Sequence, residues 1–261
     1  MRILFAGDLA GSPGRSVLAK SLPRLAKCWK GFDFIVVNCE NAAAGKGMTE
    51  KIMEELFEMG VHGMTSGNHI WDKNLFYPIL ASETRIVRPA NYPPGCPGGG
   101  YSVLERNGKK LGLLNLQGRI FMPPLDCPFR AADMILETIP DDVPVLVDFH
   151  AEATSEKKAL GLYLDGRVAA FVGTHTHVQT ADERILPGGT AYITDVGMTG
   201  GHGGIIGVKT EKVMPRYLTG LPSKFEVCDD EPAINAVVIE IDDESGRASN
   251  IVRINERVDI T

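Results

Sequence analysis

The chain has 261 residues, of which 44% are apolar and 23% are charged, as is typical of a soluble globular protein. Its net charge of −6 argues against the uniformly basic surface that grips long nucleic acid, so we expect no stable binding of that kind. No stretch approaches the roughly 18 apolar residues that span a bilayer. The apolar run before Asp8 is too short for a signal peptide. The five scattered cysteines lack a C-x-x-C motif and indicate free thiols in a reducing compartment. We therefore expect a cytoplasmic protein with no membrane partner, built as one domain over residues 1–261.

In the first half of the chain, apolar runs alternate with helical patterns. We predict strands at residues 3–6, 34–37 and 61–65. A helix is predicted over residues 16–29, and a second one follows an N-cap at Thr49 and ends near residue 59. Residues 101–105 and 110–116 flank Asn107-Gly108, the strongest short signal for a β-hairpin.

The second half continues the alternation. Helices are predicted at residues 130–138 and 154–164, the latter capped by Thr154, with strands at 143–149, 168–172 and 191–194. The glycine-rich residues 197–207 are interpreted as a loop, and residues 236–241 and 251–254 as a final hairpin. Strands that alternate with helices favour a partly parallel α/β sheet, and the hairpins add antiparallel strands. The pattern therefore predicts a pair of mixed sheets.

Polar side chains that can bind a metal follow five of these strands. In open α/β sheets, ligands bind outside the carboxyl ends of the strands, so we expect these side chains to gather along one edge. In chain order they are Asp8, then Glu40 and Asn41, then Asn68 and His69, then His150, and then His175 and His177.

The donor set contains nitrogen and oxygen but no thiolate, which suits Zn, Mn, Fe or Ni. It exceeds the needs of one tetrahedral ion, so we predict two ions with Glu40 as the bridging carboxylate. His62 is interpreted as a structural histidine. Lys46 and Lys157 are interpreted as solvated surface lysines rather than phosphate ligands. Glu152 either supports a ligand histidine or is solvated, and the sequence leaves both readings open.

The order of these motifs resembles that of the calcineurin-like metallophosphoesterases, and their variants resemble the bacterial YmdB-like phosphodiesterase branch. Three features depart from the wider superfamily: Ala10 replaces the usual histidine of the first motif, Glu40 replaces an aspartate, and Thr174 is inserted before the paired histidines. The matching segments span nearly the whole chain: Gly7-Asp8-Leu9-Ala10-Gly11, Asn38-Cys39-Glu40-Asn41-Ala42-Ala43, Ser66-Gly67-Asn68-His69, Asp148-Phe149-His150, Gly173-Thr174-His175-Thr176-His177 and Thr194-Asp195-Val196-Gly197.

The resemblance implies a fold and a metal centre. The fold would be an α/β sandwich of two mixed β-sheets flanked by α-helices. The centre would hold two transition-metal ions, with iron implied by the branch and manganese or zinc as alternatives. Its ligands would be Asp8, Glu40, Asn41 and His177 for the first ion, and Glu40, Asn68, His150 and His175 for the second.

The resemblance also implies an activity. A hydroxide that bridges the two ions would attack phosphorus, and His69 would act as the general acid that protonates the leaving oxygen. The expected substrates are small phosphodiesters, with 2′,3′-cyclic nucleotides foremost. The alternatives are a phosphomonoesterase or nuclease at the same site, or a regulatory protein that binds metal and nucleotide with little turnover. The sequence leaves open whether the chain forms a homo-oligomer.

Overall fold

The computed structural model describes residues 1–260. Within that range the helices are α1 (Gly11–Cys28), α2 (Glu50–Glu58), α3 (Tyr77–Ser82), α4 (Pro128–Leu136), α5 (Thr154–Tyr163) and α6 (Thr210–Thr219). The strands are β1 (Arg2–Ala6), β2 (Asp8–Leu9), β3 (Phe34–Asn38), β4 (Gly63–Thr65), β5 (Tyr101–Arg106), β6 (Lys109–Gln117), β7 (Val145–His150), β8 (Ala170–Thr174), β9 (Arg184–Ile185), β10 (Ala191–Ile193), β11 (Met198–Gly201), β12 (Pro232–Ile241) and β13 (Ala248–Arg257). None of these helices is long and apolar enough to cross a membrane.

The strands form two mixed sheets. The first has the order β2-β11-β12-β1-β3-β4. Strand β13 also pairs with β12, along the edge opposite to β1. Within it β1, β3 and β4 are parallel, and β12 is antiparallel to β1. The second sheet has the order β5-β6-β7-β8-β10-β9, in which β6, β7, β8 and β10 are parallel. The predicted α/β fold with two mixed sheets is therefore confirmed.

The sheets pack face to face because successive residues of each strand point to opposite sides. In β1, Ile3 and Phe5 enter the core between the sheets, where they join side chains such as Val172 and Ile193 of the second sheet. Leu4 and its alternate neighbour Ala6 instead pack against α1 and α2. The outer face of the second sheet likewise packs against α4 and α5. Helices thus flank a sandwich of two sheets.

Helices α3 and α6 were not predicted, and the four predicted helices follow their expected positions with two exceptions. Thr49 caps α2, since its side-chain oxygen accepts a hydrogen bond from the backbone N–H of Ile52 at 3.4 Å. Thr154 is not a cap: it is the first helical residue of α5, after Ala153. Helix α1 begins at Gly11 rather than at residue 16. The first turn was missed because it contains glycines, which are poor helix formers. Gly14 is required there, because a β-carbon at this position would lie only 2.4 Å from the carbonyl oxygen of Thr199.

The interpretation of residues 197–207 as a loop was wrong for Met198–Gly201. This segment is the buried strand β11, which is parallel to β2 and antiparallel to β12. A β-carbon at Gly201 would lie 2.2 Å from the carbonyl oxygen of Cys228. The glycines therefore permit close approach of neighbouring backbones inside a sheet. A glycine-rich composition alone does not distinguish such a strand from a loop.

Candidate metal centre

The five polar strand ends gather where the two sheets meet. We expected a single sheet edge, and this was wrong: β1, β3 and β4 belong to the first sheet, whereas β7 and β8 belong to the second. The sheets are joined by direct contacts beside the site. The side chain of Asn38, at the end of β3, donates to the carboxylate of Asp148 in β7 at 3.0 Å. The backbone N–H of His175 donates to the carboxylate of Asp8 at 3.0 Å.

Glu40, His150 and His175 converge on one point. Nε2 of His150 lies 3.1 Å from Oε1 of Glu40 and 3.0 Å from Nδ1 of His175. Each of these residues offers a ligand atom, and the three atoms lie within 4.8 Å of one another. Both Glu40 and His150 are buried. This geometry places three donors of the kind that zinc, iron and manganese prefer around a common centre.

The hydrogen bonds of His150 fix which of its nitrogens faces that centre. Thr174 donates its hydroxyl proton to Asp148 at 2.7 Å, so its oxygen accepts from Nδ1–H of His150 at 2.9 Å. Nε2 is therefore the nitrogen that can bind a metal, and it faces Glu40 and His175. A partner on the outer nitrogen that fixes the tautomer is the usual support of a ligand histidine. Asp148 was part of a matching segment in the sequence, but its role in orienting His150 through Thr174 was not predicted.

Glu152 plays the equivalent part for His175. Its carboxylate lies 3.2 Å from Nε2 of His175, and its side chain is half exposed. A carboxylate at this distance favours the tautomer with the proton on Nε2, in which the lone pair on Nδ1 of His175 faces Nε2 of His150. Of the two readings of Glu152, the structure favours support of a ligand histidine.

Asn41 and His177 form a second pair of facing acceptors. Nδ1–H of His177 donates to the carbonyl of Ile206 at 2.9 Å, which leaves a lone pair on Nε2. The amide nitrogen of Asn41 donates to the carbonyl of Gly45 at 2.9 Å, which turns Oδ1 towards His177. The distance between Nε2 of His177 and Oδ1 of Asn41 is 3.3 Å. Neither atom has a proton to share, so a cation between them is the arrangement that satisfies both.

Two further oxygens in the site lack partners. Oδ1 of Asp8 and Oδ1 of Asn68 are buried and accept no hydrogen bond from the described residues. Unpaired buried polar atoms are rare in proteins and call for an explanation such as an ion. The cradle is also tight, because a β-carbon at Gly67 would lie 2.2 Å from the His150 ring and 2.4 Å from Glu40. All seven residues proposed as ligands thus present an acceptor atom that fits a metal.

The electrostatics of the site favour positive charge. Burial lowers the pKa of His150, but the carboxylates of Glu40 and Asp8 outweigh it and raise the pKa to about 9. Burial also raises the pKa of Glu40, and the His150 imidazole outweighs this and holds that pKa below its usual range. The pKa of His175 falls to about 3, because of burial and then the charge on His150. One proton on His150 thus takes the position of a cation among these groups.

Lys157 shapes the backbone of the paired histidines. Its prediction as a solvated surface lysine was wrong: it is fully buried, with Nζ 2.5 Å from the carboxylate of Asp195. Asp195 also accepts from the backbone N–H of Thr176 at 3.2 Å and from its hydroxyl at 2.7 Å. His175 and His177 on either side have φ of 99° and 63°, a region that non-glycine residues seldom occupy. The ion pair therefore holds a backbone turn that aims both imidazoles.

His69 lies beside this cluster. Its backbone N–H donates to Oε2 of Glu40 at 3.0 Å, and its Nδ1 lies 3.0 Å from the carboxylate of Asp72. Asp72 was missed by sequence reasoning, although its i+3 spacing from His69 is a signal. His62 is structural as predicted, since its Nδ1 accepts a hydrogen bond from the N–H of Ile35 at 2.9 Å.

A family model for YmdB-like proteins matches residues 4–254. The chain belongs to the YmdB-like family. This YmdB-like chain is 51% identical over 255 residues to a protein of Bacillus subtilis (strain 168) named 2′,3′-cyclic-nucleotide 2′-phosphodiesterase, and the match covers 97% of this chain and 96% of the relative.

Solved structures place this YmdB-like chain in the same family fold. A hypothetical protein from Thermus thermophilus superposes with a TM-score of 0.92 at 46% identity and covers 98% of this chain and 99% of its own. A protein of Mycoplasma pneumoniae described as a novel phosphatase gives a TM-score of 0.91 at 35% identity, with 98% and 94% covered.

Proposed function

We propose that this protein is a metal-dependent phosphodiesterase that hydrolyses small phosphodiesters, with 2′,3′-cyclic nucleotides as its main substrates. The observation that supports this most strongly is the convergence of nitrogen and oxygen atoms that can bind a metal at the junction of the two sheets. Nε2 of His150 faces Nδ1 of His175 at 3.0 Å, and Nε2 of His177 faces Oδ1 of Asn41 at 3.3 Å. The name of the B. subtilis relative supports the substrate class.

The proposed centre has two ions. Asp8, Asn41 and His177 would hold the first, Asn68, His150 and His175 would hold the second, and Glu40 would serve both. When bound, such ions acidify a water for attack and neutralise charge on the phosphate oxygens. Iron is our proposal for the native metal, and the nitrogen and oxygen donors also accommodate manganese or zinc.

The protein groups position the substrate and move its protons. His69 is the proposed general acid, which donates the proton on Nε2 to the leaving oxygen. Asp72 accepts from Nδ1 of the same ring at 3.0 Å, so it fixes the orientation of the ring that donates the proton. The backbone N–H of His69 is bonded to Glu40, which ties the position of the acid to that of the bridging ligand.

Domain organisation, cellular location and substrate size are consistent with this function. The whole chain acts as one metallophosphoesterase domain. All five cysteines have free thiols, which is the form expected in a reducing compartment and supports a cytoplasmic location. The net charge of −6 favours small esters over long nucleic acid.

Turnover of adenosine 2′,3′-cyclic phosphate tests the proposal. We expect the metal-loaded protein to hydrolyse it to a monophosphate, and expect chelation to abolish the reaction. His69→Ala should lower kcat by about 10²–10⁴-fold without loss of metal. If both the wild-type protein and His69→Ala bind metal and nucleotide but neither hydrolyses the nucleotide, the enzymatic proposal is contradicted and the regulatory alternative is supported.

A further inference from the structure

A cavity opens beside the proposed metal centre, on the side of Asn41 and His177. Its volume is about 440 Å³, within the roughly 300–1,000 Å³ range of pockets that bind small molecules. Its walls come from the loop around Lys46, from Lys73, and from α6 with the segment that follows it as far as Val227. The cavity is continuous with the site, because Ile206 both lines it and accepts the hydrogen bond from His177.

The cavity is electropositive in a protein of net charge −6. Lys46, Lys73 and Arg216 line it, and none of their charged nitrogens lies within 4.0 Å of a carboxylate of residues 1–260. The lining contains one carboxylate from that range, Glu226, which is neutralised by Lys209 at 2.7 Å and Lys212 at 3.4 Å. Three basic groups without acidic partners around one cavity indicate an anionic ligand.

The same cavity has an aromatic wall. The ring of Phe225 is exposed, with Nζ of Lys46 at 5.8 Å and Cζ of Arg216 at 5.7 Å from its centroid. A ring with basic neighbours is the usual platform on which proteins stack a nucleobase beside its phosphate. The hydroxyl of Ser223 also lines the cavity, is buried, and has no hydrogen-bond partner among the described residues.

We propose that this cavity binds the nucleoside of the substrate together with a 5′-phosphate, so that the preferred substrate has a second phosphate besides the one that is cleaved. The base stacks on Phe225, and Lys46, Lys73 and Arg216 bind the 5′-phosphate. Lys46 is then a phosphate ligand and not only a solvated lysine. The inference rests on the proposed function. A 5′-phosphate occurs both on a phosphorylated mononucleotide and as the next linkage of a short oligonucleotide.

Three substrates test the inference: adenosine 2′,3′-cyclic phosphate, its 5′-phosphorylated form, and a dinucleotide that ends in a 2′,3′-cyclic phosphate. We expect kcat/KM to be about tenfold higher with the 5′-phosphate, which is typical of one charge-assisted contact. A gain with the phosphorylated mononucleotide identifies a free 5′-phosphate as sufficient, and a gain confined to the dinucleotide identifies the internucleotide linkage. Equal kcat/KM for all three, with turnover intact, overturns the inference and leaves the proposed function standing.

Variants assign the effect to the cavity. In Arg216→Met and in Lys46→Met/Lys73→Met the preference should fall to near one, and Phe225→Leu should raise KM for every substrate by about tenfold. Lys110→Met is the matched control, because this exposed lysine lies at the amino end of β6, the end opposite to the site. It should keep the preference. An equal loss in Lys110→Met would show a general charge effect and overturn the inference.

Failure to hydrolyse any cyclic nucleotide would contradict the proposed function. Calorimetric titration of nucleotide binding would still test the inference in that case. Adenosine 3′,5′-bisphosphate should bind about tenfold more tightly than adenosine 3′-phosphate. The difference should vanish in Arg216→Met and persist in Lys110→Met. Equal affinity of the two nucleotides for the wild-type protein would overturn the inference.

Discussion

Nε2 of His177 faces Oδ1 of Asn41 at 3.3 Å, and both atoms are acceptors because the remaining polar atoms of the two side chains already have partners. The facing acceptors repel each other without a cation. We predict that Asn41→Ala lowers the metal content by one ion per chain and does not lower the melting temperature of the chelator-treated protein. Elemental analysis measures the metal content, and scanning calorimetry with and without chelator measures the melting temperature, which a bound ion raises because it stabilises the folded state.

A structural role for Asn41 makes the opposite prediction. If its hydrogen bond to Gly45 were its main contribution, Asn41→Ala would lower the melting temperature of the chelator-treated protein and leave the metal content unchanged. His177→Ala should behave like Asn41→Ala, since the two residues are proposed to bind the same ion.

The second prediction concerns the buried ion pair between Lys157 and Asp195. Lys157→Met leaves the Asp195 carboxylate buried without its partner, and we expect the free energy of unfolding to fall by about 3–5 kcal/mol. Urea denaturation measures it. The double variant Lys157→Met/Asp195→Asn removes both charges and should recover part of the loss. No recovery in the double variant would show that packing of the lysine, not its charge, is what the fold requires.

The third prediction concerns Asp72. Asp72→Asn removes the carboxylate beside Nδ1 of His69, so we expect kcat for a cyclic nucleotide to fall by about tenfold, less than in His69→Ala. Metal content should not change, since Asp72 is not a proposed ligand. Combining the two substitutions should cost no more activity than His69→Ala alone, because Asp72 acts through His69. Additive losses in the double variant would contradict this account.

The fourth prediction is a dependence of stability on pH that arises at His62. Burial, and then the charge of Arg106, lowers its pKa from 6.5 to about 4. The unfolded chain therefore takes up the proton first, so the contribution of His62 is present above pH 6.5 and is lost as the pH falls towards 4. His62→Asn, which can still accept from Ile35, should reduce the loss of stability between pH 7 and pH 5 in urea denaturation. Equal losses in the two proteins would assign the dependence to other groups.

The sequence was informative about the site where a polar side chain that can bind a metal stands at or just after the end of a strand. Glu40, His150 and His175 each stand at or just beyond a strand end, and periodicity alone indicated that they would meet. It could not indicate that the strand ends belong to two sheets, because sheet membership depends on long-range pairing.

The groups that support the site were harder to find for the same reason. Lys157 lies on a helix and Asp195 after β10, and nothing local relates them. Helices α3 and α6 were missed because Pro78 and Pro215 within them are read as helix breakers. Pro78 is tolerated because it lies in the first turn of α3, where its missing N–H costs nothing.

The central claim is that two ions share Glu40. Elemental analysis of protein purified without chelator tests it most directly. We predict close to two transition-metal ions per chain in the wild-type protein, and a loss of both in Glu40→Ala but not in Lys110→Met. A single ion per chain that Glu40→Ala leaves in place would contradict the account.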